Sequence, residues 1–286
     1  MFRRGQRRLW TGSARWHDGR YDMKFTLSVN VALPGLPIEE RIRIAAEAGY
    51  DGVDIYGILD GYDLGKAYEA SQKYEIPLIA CSADRAFETT LNKRWNVIEP
   101  AIKKTISCAK QLGMKRIAML GGFKTSDLDD PKLLLLENTK RLAELGEKED
   151  IIFMIEPINN VIEHQTAYLH SSAAGAEIVN AVYSDHIKLL FDFVHLETAE
   201  GNVLNNALAY KDIIDMFHVV GIPKHDEPFN SQLDYPYILS ILAENGYDGY
   251  VGAEYEPSYD PETSVRDVLN YLKMYKTRKD CYRSVQ

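Results

Sequence analysis

The stretch AEAGYDGVDIY, residues 46–56, returns in altered form as LAENGYDGYVGAEY, residues 242–255. Both read as the last turn of a helix, a glycine stop, a tight turn and a short apolar strand. Gly49 and Gly246 stand where the helical spacing ends, the usual place for glycine. Two copies of one helix–turn–strand unit near opposite ends of the chain predict a repeated βα architecture.

Outward from these copies, strand-like and helix-like runs alternate through the chain. The strand candidates are KFTLSVN (24–30), GVDIYG (52–57), IPLIACS (76–82), KRIAMLGG (115–122), IIFMIE (151–156), IKLLFD (187–192), DMFHVVG (215–221) and YVGAEY (250–255). Each is short and mostly apolar, as parallel strands covered on both faces should be. Between them, Ile38, Ile42, Ala45 and Ala46 fall on one helical face, and Ile98, Ile102, Ile106 and Ala109 on another that stops at Gly113. Eight βα units without an internal linker predict an α/β fold, a single-domain (β/α)8 TIM barrel. An open sheet binding a dinucleotide would carry G-x-G-x-x-G after an early strand, and none occurs. GYDLGKA (61–67) is no phosphate loop, because its glycines are one residue too close and Ala67 stands where Ser or Thr is needed.

The 286 residues are 45% hydrophobic and 26% charged, an ordinary globular composition. No apolar run approaches the roughly 18 residues of a membrane span. Cys81, Cys108 and Cys281 form no C-x-x-C pair, which suits reduced thiols in a cytoplasmic protein. The net charge of −9 is uneven: residues 1–22 hold six Arg against two Asp, and the remainder 40 acidic against 27 basic residues. An acidic body argues against a nucleic-acid surface. Residues 1–23 are read as a basic extension, disordered or a non-native start, residues 24–276 as the barrel, and residues 277–286 as a tail.

In a barrel the carboxyl ends of the strands form the active face. The fifth run ends on Glu156, a carboxylate costly to bury unless paired or ligated, and Pro157 turns the chain into the loop. The sixth ends on Asp192, with His195 three residues later. The seventh contains His218 and the eighth Glu254, at separations of 36, 26 and 36 residues, one βα unit each. Two Glu, one Asp and one His suit Mg²⁺, Mn²⁺ or Co²⁺. Three crowded carboxylates repel unless one takes a proton or a metal neutralises them. Each residue alone has a plainer reading: Asp192 as a helix cap, His218 as a core histidine, Glu254 as a surface ion pair, and Glu256 as the inward residue instead. His164, His170 and His186 read as surface residues. Tyr56, Phe87, Trp95 and Tyr255 read as core aromatics able to line a sugar pocket.

EPIN (156–159), FDFVHL (191–196), HVVGIPKHDEP (218–228) and GYDGYVGAEYEP (246–257) resemble the hydroxypyruvate isomerase family of xylose-isomerase-like barrels, relatives of the ketose 3-epimerases. The resemblance is clearest over residues 151–260 and weaker from Phe25 to Gly122. It implies that Glu156, Asp192, His218 and Glu254 bind one divalent metal ion, that Glu156 and Glu254 form an acid/base pair, and that His195 holds a substrate oxygen. The implied activity is that of an aldose–ketose isomerase or ketose 3-epimerase, moving a proton on a small sugar or keto acid through a metal-stabilised enediolate. One departure stands out: related isomerases carry Arg in P-x-R-x-E-P, where this chain has His225 in PKHDEP. Arg would clamp a substrate carboxylate bidentately, and Lys224 offers only a point charge. Asn159, Lys224 and His225 join His195 as substrate-binding candidates. Neither nucleic acid nor membrane is an expected partner; a homo-oligomer is expected from the resemblance alone. Two rival readings stay open, a sugar- or metal-binding barrel without activity and an endonuclease IV-type phosphodiesterase. The latter would need further His and Asp ligands and a basic groove.

Overall fold

Eight parallel strands close on themselves in chain order: β1 (Lys24–Ser28), β2 (Gly52–Ile55), β3 (Leu78–Ser82), β4 (Arg116–Leu120), β5 (Ile152–Glu156), β6 (Ile187–Asp192), β7 (Ile214–Val219) and β8 (Tyr250–Ala253). β1 pairs with β8 to complete the barrel. The computed structural model describes residues 23–58, 61–124 and 130–276. The basic extension up to residue 22 and the tail from 277, with Cys281, lie outside the described residues. Every predicted strand is present; most are one to two residues shorter at an end, and β7 starts one residue early.

The outer layer is α1 (Val29–Ala32), α2 (Ile38–Ala48), α3 (Leu64–Lys73), α4 (Trp95–Gln111), α5 (Pro131–Glu149), α6 (Ser172–Val182), α7 (Phe193–Ala199), α8 (Val203–Tyr210), α9 (Tyr235–Glu244) and α10 (Pro261–Lys273). Gly49 closes α2 at φ +91°, its N–H bonded to the Ala45 and Ala46 carbonyls. Gly246 ends α9 at φ +89°, so the repeated motif folds the same way twice. In α2, Ile38, Ile42 and Ala45 are buried as predicted, but Ile44 takes the place of the half-buried Ala46. Asp63, Asp130, Ser171, Asp192, Asp234 and Asp260 cap α3, α5, α6, α7, α9 and α10 with their side chains, satisfying N–H groups that the first helical turn leaves free.

Alternation along each strand sorts the core into two parts. Odd residues of β5, Phe153 and Ile155, join the large apolar layer between barrel and helices. Even ones point inward, where Met154 packs with Ala118, Leu190 and Met216 inside the barrel. Below that plug, Arg116 Nε lies 2.5 Å from Asp215, under the Tyr250 ring. Two residues further up each inward row come Glu156, Asp192, His218 and Glu254. Gly252 makes room for one of them: a Cβ there would sit 2.9 Å from His218 Cδ2 and Met216 Cε. Among the described residues no helix is long and apolar enough to cross a membrane.

Candidate active site

Asp192 serves two purposes at the end of β6. Its Oδ1 accepts the N–H groups of Val194 (2.8 Å) and His195 (3.3 Å), capping α7. Its Oδ2 faces inward, 3.8 Å from His218 Nδ1. The predicted cap and the predicted inward carboxylate are therefore one side chain. His218 is fully buried. Its Nε2 lies 2.8 Å from the Tyr56 hydroxyl, while Nδ1 lies 2.8 Å from Glu254 Oε2 in a direction that makes no proper hydrogen bond. On the other side, Glu156 Oε1 is 4.0 Å from His195 Nε2.

These side chains form two overlapping triads, Glu156–Asp192–His195 and Asp192–His218–Glu254, each with its ligand atoms within 4.8 Å of one another. They meet at Asp192. Burial pushes the Glu156 carboxyl well above its ordinary value, and the Asp192 charge adds to the effect. Burial opposes a charge on His218, but Glu254 and then Asp192 and Glu156 outweigh it and raise the imidazole to about 9. Burial would raise Glu254 too, yet the adjacent His218 wins and holds it below the usual carboxylate range. The cluster is thus short of positive charge at its centre. Three carboxylates, a buried imidazole nitrogen that faces two of them without a well-directed hydrogen bond, and a hydroxyl bonded to the opposite ring nitrogen fit a divalent cation.

Around the triads lies a cavity of about 820 Å³. Its wall includes a constellation that sequence reasoning missed. Glu163, in the β5–α6 loop, has Oε1 2.5 Å from His225 Nε2 and Oε2 2.9 Å from Asn159 Nδ2. Asn159 is buried, and its Oδ1 accepts the N–H groups of Val161, Ile162 and Glu163. Its amide nitrogen must therefore be the donor to His195 Nδ1, 3.1 Å away, which leaves the His195 proton on Nε2, facing Glu156. Asn159 positions His195 and Glu163 from behind and does not line the cavity. Lys224 is exposed and outside the cavity wall, so the structure does not bring it to the site. His164, read from sequence as a surface residue, instead lines the cavity, with Phe87 5.3 Å from it and His195 5.7 Å from it, ring to ring. His170 and His186 each contact a backbone carbonyl. Trp95 sits under Arg141, away from the cavity, and Glu256 lies at the rim.

The loop bearing His225 is held by Glu227, a fully buried carboxylate. It accepts from Ser258 N (2.9 Å), Ser258 Oγ (2.7 Å) and Ser264 Oγ (2.8 Å), tying the β7–α9 loop to the β8–α10 loop and to the first turn of α10. Burial alone would raise Glu227, but these bonds outweigh it and depress the carboxyl. Its stabilisation is therefore present above its unfolded value of 4.5 and lost as pH falls through the lower folded value. Glu227→Ala is expected to cost roughly 3 kcal/mol at pH 7 in urea unfolding. The gap from the unsubstituted protein should shrink in acid.

Residues 42–275 match the family model described as xylose isomerase-like TIM barrel. The chain belongs to that family. Among proteins similar in sequence to this chain, the hydroxypyruvate isomerase of Escherichia coli K12 is 25% identical over 253 residues, covering 85% of this chain and 97% of that protein. The 2-oxo-tetronate isomerase of Cupriavidus necator is 30% identical over 182 residues, 62% of this chain and 67% of that protein. Among solved structures, a family 2 AP endonuclease from Brucella melitensis superposes with a TM-score of 0.79 at 20% identity, covering 87% of this chain and 99% of that one. An L-ribulose 3-epimerase gives 0.77 at 14%, covering 93% and 98%. At these identities the structural likeness speaks for the fold alone.

Proposed function

We propose that the barrel transfers a proton beside the carbonyl of a small polyhydroxylated substrate, as an isomerase or epimerase of a ketose or 2-keto acid. The observation that carries this reading is the pair of triads sharing Asp192, with Glu156 on one flank and Glu254 on the other. The sequence relatives, a hydroxypyruvate isomerase and a 2-oxo-tetronate isomerase, support the same class. Glu156, Asp192, His218 and Glu254 would hold one divalent ion, Mg²⁺, Mn²⁺ or Co²⁺. When bound, such an ion supplies Lewis acidity toward a carbonyl and its neighbouring hydroxyl.

The chain's own groups account for the proton movements. Glu254, kept ionised by His218, removes a carbon-bound proton. Glu156, whose buried carboxyl favours the protonated form in the absence of a cation, serves the opposite flank. His195 presents its Nε2 proton to a substrate oxygen, in the tautomer that Asn159 imposes. Phe87 and His164 line the cavity beside His195, and Phe123 packs against both rings. Delivery to the adjacent carbon yields an isomer, and delivery to the opposite face of the same carbon an epimer. A phosphodiesterase reading has less support, because the cavity wall is acidic where DNA needs a basic groove.

The test is deuterium wash-in from heavy water across a panel of ketoses and 2-keto acids, with Mg²⁺, Mn²⁺ or Co²⁺ added. Exchange should appear with metal and vanish with chelator. No exchange with any substrate and metal would sink the reading. Tyr56→Phe offers a second check, since it removes the group bonded to His218 Nε2 without touching a carboxylate. Metal affinity measured by calorimetry should fall about 10–100-fold, with the circular dichroism spectrum unchanged.

A further inference from the structure

A ketose and a 2-keto acid of equal length differ by one carboxylate, and the cavity wall distinguishes them. Glu156, Asp192 and Glu254 lie on its floor, with Glu88, Glu163 and Glu256 toward the rim. Among the described lining residues one permanently cationic side chain faces them, Arg85, and its guanidinium sits 3.1 Å from Glu88. A divalent cation on the floor would leave the wall still acidic. Among the described residues, a substrate carboxylate entering here meets one exposed cation, shared with Glu88, and several like charges.

The same wall suits hydroxyl groups. Glu163 is one-third exposed, and each oxygen is braced once, by His225 and by Asn159. An ionised carboxylate has about four acceptor positions, so capacity remains toward the cavity. His225 is itself fixed by its backbone, donating from N to Gly221 O (2.8 Å) and accepting from Glu256 N (2.7 Å). Glu163 is thus a braced acceptor 3.9 Å from His195 Nδ1, on the opposite edge of the ring from Glu156, which lies 4.0 Å from Nε2.

We infer that the substrate is an uncharged polyhydroxy ketone, and that Glu163, held by His225 and Asn159, accepts hydrogen bonds from its distal hydroxyls. The inference rests on the proton-transfer reading for the reaction, but ligand binding tests it independently. Wash-in rates are compared for dihydroxyacetone against hydroxypyruvate and for erythrulose against 2-oxo-tetronate, with the preferred metal saturating. The ketone should be favoured at least about 10-fold in each pair. Glu163→Gln should lower ketone kcat/KM about 10-fold or more, as loss of a charged hydrogen bond does, while metal affinity by calorimetry stays within twofold. His225→Arg should raise keto-acid kcat/KM by a similar factor, by placing a cation at the rim.

Equal or better use of the keto acids by the unsubstituted protein overturns the inference, as does a Glu163→Gln variant with the same preference. If no compound exchanges, the proton-transfer reading fails, and saturation-transfer NMR of erythrulose and 2-oxo-tetronate still decides the ligand class. Erythrulose binding alone, weakened in Glu163→Gln, supports it. Binding of the acid, or of neither, overturns it.

Discussion

Glu254→Gln is expected to slow solvent exchange into substrate by about 1,000-fold at saturating metal, the middle of the range for a positioned general base. Glutamine keeps the volume and leaves the backbone bond from residue 254 to Val219 O untouched. It removes the charge 2.8 Å from His218, so the imidazole loses its main stabilising partner as well. Metal binding should therefore weaken too, and calorimetry separates that loss from the loss of the base. Glu156→Gln should abolish exchange comparably, with the opposite effect on the metal-free fold. Burial and Asp192 raise the folded Glu156 carboxyl above its unfolded value of 4.5. Stability linked to it is thus full below that value and lost as pH rises toward the folded one. At pH 7 glutamine removes that penalty, so the melting temperature in chelator should rise. Unchanged turnover in either variant would remove it from the proposed pair.

Much of this site could be read from the chain because barrel strands impose a period. Glu156, Asp192, His218 and Glu254 each fall at or within one residue of a strand end, and one βα unit separates neighbours. A strand's direction and its two-residue alternation fix where such residues point, so sequence position translates into place. Glu163 and His164 sit in a loop, where no period applies. Their turn back over the cavity depends on Asn159 Oδ1 gathering three backbone N–H groups, a local signal that EPINN carries but that names no destination. Lys224 and His225 show the same limit. They are adjacent in the chain, yet His225, at φ +57°, faces the cavity and Lys224 faces solvent. Two of the plainer readings hold as well: His218 is a buried histidine bonded to Tyr56, and Asp192 is a helix cap. Asp192 is also the point where the two triads meet.

That double role separates two substitutions. Asp192→Asn retains an oxygen able to accept from Val194 and His195, and asparagine caps helices about as well as aspartate. Its fold should therefore survive with little change in urea unfolding. The shared charge is gone, however, and both triads lose a donor at once. A direct donor should matter more than an outer-shell neighbour, whose loss typically costs 10–100-fold, so metal affinity should drop by at least about 100-fold. Asp192→Ala should show the same loss in affinity plus about 1 kcal/mol of instability from the missing cap. His195 follows Asp192 by three residues and takes its orientation from the start of α7, so the alanine variant should also disturb the imidazole proposed to face the substrate. Calorimetry and unfolding on the two proteins thus dissect one side chain into its electrostatic and structural parts. Equal metal affinity in Asp192→Asn and the unsubstituted protein would place the cation elsewhere.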